Sequence, residues 1–400
     1  MAKLLALLAL LVAAAAASPL LVLLANAQGE GEGLLPFAVG SAPAGCDVGV
    51  GEWVYDEAAR PMYEEEACPY IQPHLTCQAH GRPDKSYQHW RWQPRGCDLP
   101  SFNATVMLEM LRGKRMLFVG DSLNREQYVS LLCLLHRAVP EGARSFETVD
   151  ALSIFRAKNY DATIEFYWAP LLAESNSDDG VEHALDDRVI RGAPMDRHSR
   201  FWKGADVLVF NSYLWWITGA AKIQILRGAD NDLSKAIVEM EAEDAYRLVL
   251  HQVVRWLDAN MDPKKSRVFF VTASPMHTNS QMWGEEMEGG NCYGQKAPIT
   301  DASYRGSTSS AMLRVASEVL GAASARVPVG VVNVTQMSEY RRDAHTQVYR
   351  ELWAPPTPEQ LADPRSYADC THWCLPGVPD AWNELLYWKL FFPAASDQAL

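Results

Sequence analysis

The stretch Met116-Leu117-Phe118-Val119-Gly120-Asp121-Ser122 joins a short apolar run to a segment of helical character, Leu123 to His136. An apolar run without polar alternation is typical of a buried strand. The sequence therefore predicts a strand, a tight turn and a helix, with Ser122 at the helix N-terminus, where its backbone N–H can stabilise an oxyanion. A helix cap formed by Asp121 and Ser122 is the structural alternative.

Three further apolar runs have strand length: Val207-Leu208-Val209-Phe210, Val268-Phe269-Phe270-Val271 and Val329-Gly330-Val331-Val332. They alternate with amphipathic helical segments such as Glu243 to Leu257 and Ser309 to Leu320. Strands of this kind, separated by such helices, predict an α/β domain whose parallel sheet is flanked by helices. Functional residues of a parallel sheet gather at the carboxyl ends of its strands.

A possible partner for Ser122 lies near the C-terminus, in Asp369-Cys370-Thr371-His372. A serine hydroxyl becomes a nucleophile when an imidazole removes its proton, and a carboxylate fixes the tautomer of that imidazole. We expect one loop or helical turn to carry both Asp369 and His372. The sequence thus predicts a Ser122, His372, Asp369 catalytic triad.

Two other polar residues follow predicted strands, and a third follows Ser122. Asn211 comes directly after Val207 to Phe210, so its side-chain amide is a candidate second oxyanion donor, with a turn-forming asparagine as the alternative. Arg125 lies one turn beyond Ser122 and is a candidate to bind the donor, the acceptor or a buried carboxylate. His277 follows the apolar run Val268 to Val271 and is a candidate site residue, although a lone histidine is more often structural.

Tryptophans lie beside several of these candidates. Trp215 and Trp216 follow Asn211, and Trp373 adjoins His372. Aromatic faces next to a catalytic serine suit a pyranose acceptor, because they contact its C–H face while the hydroxyls stay free. Packing in the core is the alternative for these residues.

The N-terminal segment predicts entry into the secretory pathway. Leu4 to Leu24 is a 21-residue stretch without a charge, long enough to span a bilayer. A signal anchor over residues 1–27 is favoured over a cleaved signal peptide, for which Ala25-Asn26-Ala27 offers a small-x-small site. Residues 28–45 are rich in Gly, Ala and Glu and predict a flexible stem.

The cysteines agree with a lumenal location. An even number of cysteines in such a compartment predicts disulfides, here four, and their spacing does not match common zinc sites. Residues 46–99 hold half of them, with few apolar runs, and predict a disulfide-rich subdomain packed on a main domain over 100–393. Asn103 and Asn333 open glycosylation sequons. The eight cysteines are Cys46, Cys68, Cys77, Cys97, Cys133, Cys292, Cys370 and Cys374.

Charge limits the class of partner. The formal net charge is −13 at pH 7, which disfavours nucleic acid, since its phosphates would be repelled. The sequence contains no phosphate-binding or dinucleotide-binding glycine motif. A neutral acceptor, no bound cofactor and no metal are therefore expected.

Several motifs together resemble the plant trichome-birefringence-like polysaccharide O-acetyltransferases, in compatible order from Cys46 to Pro393. They are Gly51-Glu52-Trp53-Val54, Cys68-Pro69-Tyr70-Ile71, Gly81-Arg82-Pro83-Asp84, Trp90-Arg91-Trp92, Gly120-Asp121-Ser122-Leu123-Asn124-Arg125 and Tyr367-Ala368-Asp369-Cys370-Thr371-His372-Trp373-Cys374. Asn211 to Trp216 is most similar to the branch that acetylates xylan. The sequence departs from the family at Glu126, where asparagine is frequent.

The resemblance implies an SGNH-hydrolase-like fold, a single-pass type II protein of the Golgi membrane, and a Ser-linked acetyl-enzyme. The implied acceptor is xylan or a related wall polysaccharide, acetylated at O2 or O3 of backbone xylosyl residues. The implied acetyl donor is acetyl-CoA or an acetylated intermediate. A polysaccharide acetylesterase is the closest alternative, because water can replace the sugar. A non-catalytic wall-polysaccharide-binding protein is the second.

Overall fold

The computed structural model describes residues 35–181, 188–192, 195–219, 222–226, 237–306, 308–321 and 326–393. The anchor predicted at 1–27 lies outside these ranges. Among the residues described, no helix has the length and apolar character needed to cross a membrane.

The described ranges contain short strands throughout. In chain order these are β1 Gly51–Tyr55, β2 Trp90–Pro94, β3 Arg115–Gly120, β4 Arg144–Val149, β5 Leu152–Ala157, β6 Ala162–Trp168, β7 Val189–Arg191, β8 Val207–Asn211, β9 Lys222–Leu226, β10 Ile237–Glu241, β11 Arg267–Val271, β12 Val329–Val332, β13 His345–Gln347 and β14 Asp369–Trp373.

Helices connect many of these strands. The α-helices are α1 Ala104–Met110, α2 Ser122–His136, α3 Asp196–Trp202, α4 Leu214–Ile217, α5 Ala242–Asn260, α6 Ser310–Leu320, α7 Thr335–Glu339, α8 Pro358–Ala362 and α9 Val378–Phe391. Single 3₁₀ turns occur at Glu65–Ala67, Pro73–Leu75, Ser86–His89, Glu141–Ala143, Lys158–Tyr160, Ser280–Trp283 and Pro364–Tyr367.

The central sheet has seven strands in the order β12-β11-β8-β3-β6-β5-β4. The five strands from β12 to β6 are parallel, which confirms the predicted parallel sheet. At the other edge β5 and β4 are antiparallel. All four apolar runs are strands of the parallel part, and β3 is the middle strand of the seven-stranded sheet. The carboxyl ends of β6, β3 and β8 therefore meet at one sheet edge.

Helix α2 is buried on nearly every side, as expected of a helix that is apolar over most of its surface. Two of its polar groups are met by α9: the Asn383 side-chain amide donates to the Gln127 carbonyl, and Ser130 donates to Asp380 at 2.6 Å. Tyr63 of the N-terminal region donates to the same carboxylate. The helix that begins at Ser122 is thus held by partners from both ends of the chain.

The cysteine-rich segment consists of the antiparallel strand pair β1–β2 and three 3₁₀ turns in the long connection between these strands. Its anchor on the main domain includes the side chain of Arg82, which donates to the carbonyls of His345 and Asp343 at 2.9 and 2.6 Å.

The predicted stem is not flexible throughout. Val39 and Gly40 donate backbone hydrogen bonds to the carbonyl of Phe391, and Ala42 donates to that of Pro393. Phe37 and Val39 also pack on the core. This correction has a simple cause: these apolar side chains cover the C-terminal end of α9.

Candidate active site

Ser122 lies where β3 passes into α2. The turn is tight because a Cβ on Gly120 would lie 2.0 Å from the carbonyl oxygen of Asn211 on the neighbouring strand. Asp121 caps the helix, accepting from the Leu123 N–H at 3.0 Å. Ser122 is the first helical residue, so its N–H is one of the donors that the helix cannot satisfy internally. The cap belongs to Asp121, and the Ser122 side chain remains available for chemistry.

The structure brings Asp369 and His372 to Ser122. His372 Nε2 lies 2.9 Å from Ser122 Oγ, and its Nδ1 lies 2.8 Å from Asp369 Oδ2. Both residues belong to β14, not to the expected loop or helical turn. Asp369 Oδ1 accepts from the Thr371 and His372 N–H groups at 2.9 and 3.0 Å. These bonds bend the start of the strand, so that the side chains of Asp369 and His372, three residues apart, come into contact.

The charges of this pair reinforce one another. Burial lowers the pKa of His372, but the charge of Asp369 and its hydrogen bond outweigh that effect and raise the pKa to about 9. Burial raises the pKa of Asp369, but the imidazole and two backbone N–H groups outweigh it and hold this pKa well below its usual range. The His372 and Asp369 side chains are 23% and 15% exposed, so a substrate can reach the ring.

Glu126 lies one turn along α2 from Ser122 and is 1% exposed. Its Oε2 accepts from the Trp373 N–H at 3.2 Å, while its Oε1 has no hydrogen-bond partner among the described residues. Burial raises the pKa of Glu126 to about 8, with the charge of His372 acting in the opposite direction. The position at which the sequence departs from its family therefore joins the nucleophile helix to the strand of the base.

His277 does not line an open site. It is 1% exposed, its Nε2–H donates to the Glu339 carbonyl at 2.9 Å, and its Nδ1 lies 2.7 Å from His345 Nε2. Burial lowers the pKa of His277 to about 4. His345 Nδ1 in turn lies 3.1 Å from the carbonyl oxygen of His372. The substrate-binding role predicted for His277 is therefore wrong, because its ring supports the backbone of the base from behind.

Asn211 reaches the predicted sheet edge without supplying the predicted donor. Its side-chain NH₂ donates to the carbonyls of Val271 and Thr272 at 3.0 and 3.1 Å. Both amide hydrogens are thus used, so the geometry contradicts an oxyanion role for this side chain. Asn211 instead ties β8 to β11 beneath the site.

The three predicted sugar-stacking tryptophans are buried in the core. Trp215, Trp216 and Trp373 are 5%, 1% and 0% exposed. Trp373 stacks on His345 with ring centroids 3.9 Å apart, and its Nε1–H donates to Ser274. The Trp216 Nε1–H donates to Ser212 at 2.8 Å. Their ring faces are covered by protein, which corrects the sugar-stacking prediction.

The cysteines confirm the prediction of four disulfides. All eight lie in the described ranges and form the pairs Cys46–Cys97, Cys68–Cys133, Cys77–Cys374 and Cys292–Cys370. No thiolate is left among them to bind zinc. Two of the bridges bracket His372, so they tether its strand on both sides, to the loop after β11 and to the N-terminal segment.

Three basic residues surround the triad. Arg125 is partly buried, and its guanidinium lies 5.5 Å from the centre of the Trp168 ring. Arg350 Nε lies 3.8 Å from Asp369 Oδ2. The ring of His74, on a 3₁₀ turn of the cysteine-rich segment, has its centroid 6.2 Å from that of His372. Burial lowers the pKa of His74 to about 4, and the charge of His372 acts in the same direction.

Sequence reasoning missed His74, Arg350 and His345. They follow no apolar run long enough to predict a strand, and the sequence holds no signal that places them beside Ser122. The two sequons lie on exposed residues: Asn103 caps α1 through its side-chain oxygen, and Asn333 follows β12. Their glycosylation stays a prediction.

A serine at the carboxyl end of a central parallel strand, with an Asp-x-x-His pair beside it, defines an SGNH-like acyl-transfer site. Residues 99–389 match the PC-Esterase family, described as a GDSL/SGNH-like acyl-esterase family found in Pmr5 and Cas1p. Residues 44–98 match the PMR5 N-terminal domain. The chain belongs to this family.

Named relatives are similar over most of the chain. "Probable xylan O-acetyltransferase 11" of Oryza sativa subsp. japonica is 74% identical over 382 residues, 94% of each chain. "Probable xylan O-acetyltransferase 10" of the same organism is 69% identical, over 89% of this chain and 80% of the relative. "Protein trichome birefringence-like 35" of Arabidopsis thaliana is 47% identical, over 86% of this chain and 75% of the relative.

Proposed function

We propose that this protein is a xylan O-acetyltransferase that transfers acetyl groups to O2 or O3 of backbone xylosyl residues. The observation that carries the proposal is the unbroken hydrogen-bond chain from Ser122 Oγ through His372 to Asp369. It occurs in a chain 74% identical to a relative whose name states this activity. A non-catalytic binding protein would have no use for such a chain.

Acylation begins with the neutral form of His372. Nδ1–H donates to Asp369, so Nε2 carries the lone pair that faces the Ser122 hydroxyl. As Ser122 Oγ attacks the acetyl carbonyl, its proton passes to Nε2 and the imidazolium is stabilised by Asp369. The developing oxyanion is met by the Ser122 N–H at the N-terminus of α2. The side chain of Asn211 has no part in this step.

Acylation ends when the first tetrahedral intermediate collapses, and the acetyl group then passes to the sugar by the same steps in the opposite direction. His372 gives its proton to the leaving group, and the acetyl group stays on Ser122 Oγ as an ester. A sugar hydroxyl loses its proton to Nε2 and attacks that ester. The second tetrahedral intermediate collapses as the bond to Ser122 Oγ breaks and His372 returns the proton to that oxygen. No cofactor is needed for these steps, so the second substrate is an acetyl donor, with acetyl-CoA and an acetylated intermediate as the candidates.

The cellular setting is part of the proposal. Four disulfides support an oxidising compartment. The uncharged segment Leu4 to Leu24 supports a single-pass anchor in the Golgi membrane, with the catalytic domain in the lumen. The exposed Asn103 and Asn333 support glycosylation there.

The test is acetyl transfer by the purified chain. The protein is incubated with an acetyl donor and separately with xylan, mannan, xyloglucan and pectin oligosaccharides, and the products are read by mass spectrometry. Xylo-oligosaccharides should gain acetyl groups, and the Ser122→Ala variant should add none. Greater activity on mannan or pectin would contradict the proposed acceptor. Acetate release that does not depend on any acceptor would favour an acetylesterase.

A further inference from the structure

A second feature of the carboxyl sheet edge is a cavity of about 490 Å³ on the β6 side of Ser122. Its floor includes Phe166 and Trp168 of β6, and one wall comes from the turn of the β4–β5 hairpin, including Thr148 and Asp150. Its volume falls in the range of roughly 300–1,000 Å³ that is typical of small-molecule sites. Trp168 pairs with Gly120 in the sheet, so the cavity begins one strand away from the nucleophile.

Arg125 connects this cavity to the triad. It lines the cavity, lies one turn along α2 from Ser122, and is near enough to His372 for its charge to oppose the rise in the pKa of that ring. Among the described residues, its guanidinium has no hydrogen-bond or ion-pair partner. A partly buried guanidinium left in this state has five N–H donors for a ligand.

The charges of the lining decide which substrate fits. Asp150, Asp178 and Asp179 face two guanidinium groups, those of Arg125 and Arg197. Asp178 already pairs with Arg197 at 3.4 Å, so this pair is neutralised within the wall. The described lining holds three carboxylates and two guanidinium groups, so it offers no net positive charge to a donor that carries several phosphates. An uncharged polyhydroxy ligand instead finds carboxylate acceptors and the guanidinium donors of Arg125.

We propose that this cavity is an acceptor subsite that binds uncharged sugar residues of the polysaccharide beyond the one that is acetylated. Arg125 donates hydrogen bonds to hydroxyl or ring oxygens of the chain, and the carboxylates of the lining accept from its hydroxyl groups. This inference rests on the proposed function, since it assigns the path of the same acceptor. It places the acceptor on the β6 side of Ser122 and the acetyl donor elsewhere.

The test fills the cavity without touching the triad. Thr148 is exposed and lines the cavity, whereas its neighbour Glu147 points to the opposite face of β4. Thr148→Trp therefore blocks the cavity, and Glu147→Trp places the same side chain on the other face as a matched control. Arg125→Gln removes the guanidinium as a second, independent change.

The probes are linear β-1,4-xylo-oligosaccharides of two and six residues, with the full chain. Thr148→Trp and Arg125→Gln should each raise the KM for the longer oligosaccharide at least about tenfold, the effect of losing one or two hydrogen bonds. The KM for the shorter one should change less, and acetylation of Ser122 by donor alone should persist in Thr148→Trp, whose side chain does not contact the triad. Glu147→Trp should behave as wild type in all three measurements.

Two results would overturn the subsite. One is an unchanged KM for the longer oligosaccharide in both Thr148→Trp and Arg125→Gln. The other is slower acetylation of Ser122 with an unchanged acceptor KM, which would assign the cavity to the donor. Calorimetric binding of the longer oligosaccharide separates this inference from the proposed function: binding that Thr148→Trp abolishes supports the subsite even if wild type transfers no acetyl group.

Discussion

Replacing Glu126 by glutamine should stabilise the protein, and the gain should grow with pH. Glu126 is 1% exposed, and burial raises its pKa from 4.5 to about 8. Between those values the unfolded chain releases the proton and the folded chain retains it, so stability falls as pH rises. Glutamine keeps the shape and the acceptor for the Trp373 N–H but has no proton to lose.

The size of the effect follows from the two pKa values. Each unit of difference corresponds to about 1.4 kcal/mol. At pH 7, Glu126 is ionised in the unfolded chain and mostly protonated in the folded one. Ionisation of the unfolded chain therefore lowers the unfolding free energy of the wild type by about 3 kcal/mol. The protonated Glu126 side chain and the glutamine that replaces it each leave one polar group without a hydrogen-bond partner. The cost of that unpaired group is therefore similar in wild type and variant and cancels when their stabilities are compared.

The assay is equilibrium denaturation of wild type and Glu126→Gln at about pH 5, 6, 7 and 8. The difference in unfolding free energy should be small at pH 5 and increase by about 1.4 kcal/mol per pH unit up to about pH 8. Glu52→Gln, the same change at an exposed residue of β1, is the control and should alter stability little. A difference between Glu126→Gln and wild type that is the same at every pH would refute the reasoning.

The same variant should alter catalysis in a defined direction. The negative charge of Glu126 is one of the influences that raise the pKa of His372. Without it, less proton binding to His372 is expected, so the acid limb of the pH profile for Ser122 acetylation should move to lower pH. A limb that stays in place, or moves to higher pH, would show that Glu126 does not act on His372 through its charge.

The remaining predictions concern the triad and its supports. Ser122→Ala should lower transfer by several orders of magnitude, about 10⁶-fold, and acquire no acetyl group from donor alone by intact mass, whereas full activity of the folded variant would exclude the mechanism. Asp369→Ala should be somewhat milder, about 10⁴-fold in kcat; an unchanged rate would remove Asp369 from the triad. Because the pKa of His372 is about 9, Ser122 acetylation in wild type should rise with pH to about that value, and a plateau that begins below pH 7 in a stopped-flow profile would contradict it. Replacing Cys77 and Cys374 together by serine should cost about 2–5 kcal/mol in nonreducing denaturation, and an unchanged midpoint would show that this bridge adds no stability.

The parallel half of the sheet was predictable because its strands are buried on both faces. Met116 to Val119 of β3 and Val207 to Phe210 of β8 are apolar at every position, which is a strong signal even in a run of four residues. The antiparallel edge gives no such signal. β4 is exposed along most of its length and mixes charged and apolar residues, so its place is decided by pairing with β5.

The proximity of Ser122, His372 and Asp369 was predictable for a different reason. Ser122, Asp369 and His372 belong to short motifs whose chemistry is recognisable wherever they lie in the chain. The residues around them were predicted poorly, because closeness in sequence does not determine which way a side chain points. Trp373 adjoins His372, yet on a strand adjacent side chains face opposite sides, so one is in the site and the other is in the core.

The cysteine-rich segment is better understood as one wall of the active site than as an appended module. Cys77 is bonded to Cys374, two residues beyond His372, and the Leu375 N–H donates to the Leu75 carbonyl at 3.2 Å. The 3₁₀ turn Pro73–Leu75, which ends at the second of these contacts, presents His74 to His372. The ring of His74 stays neutral at pH 7, because its pKa is about 4, so it adds a polar surface without repelling the imidazolium formed during catalysis. The segment thus fixes the strand of the base and supplies a polar group beside it, which explains why a region too poor in apolar residues to fold alone is joined covalently to the far end of the chain.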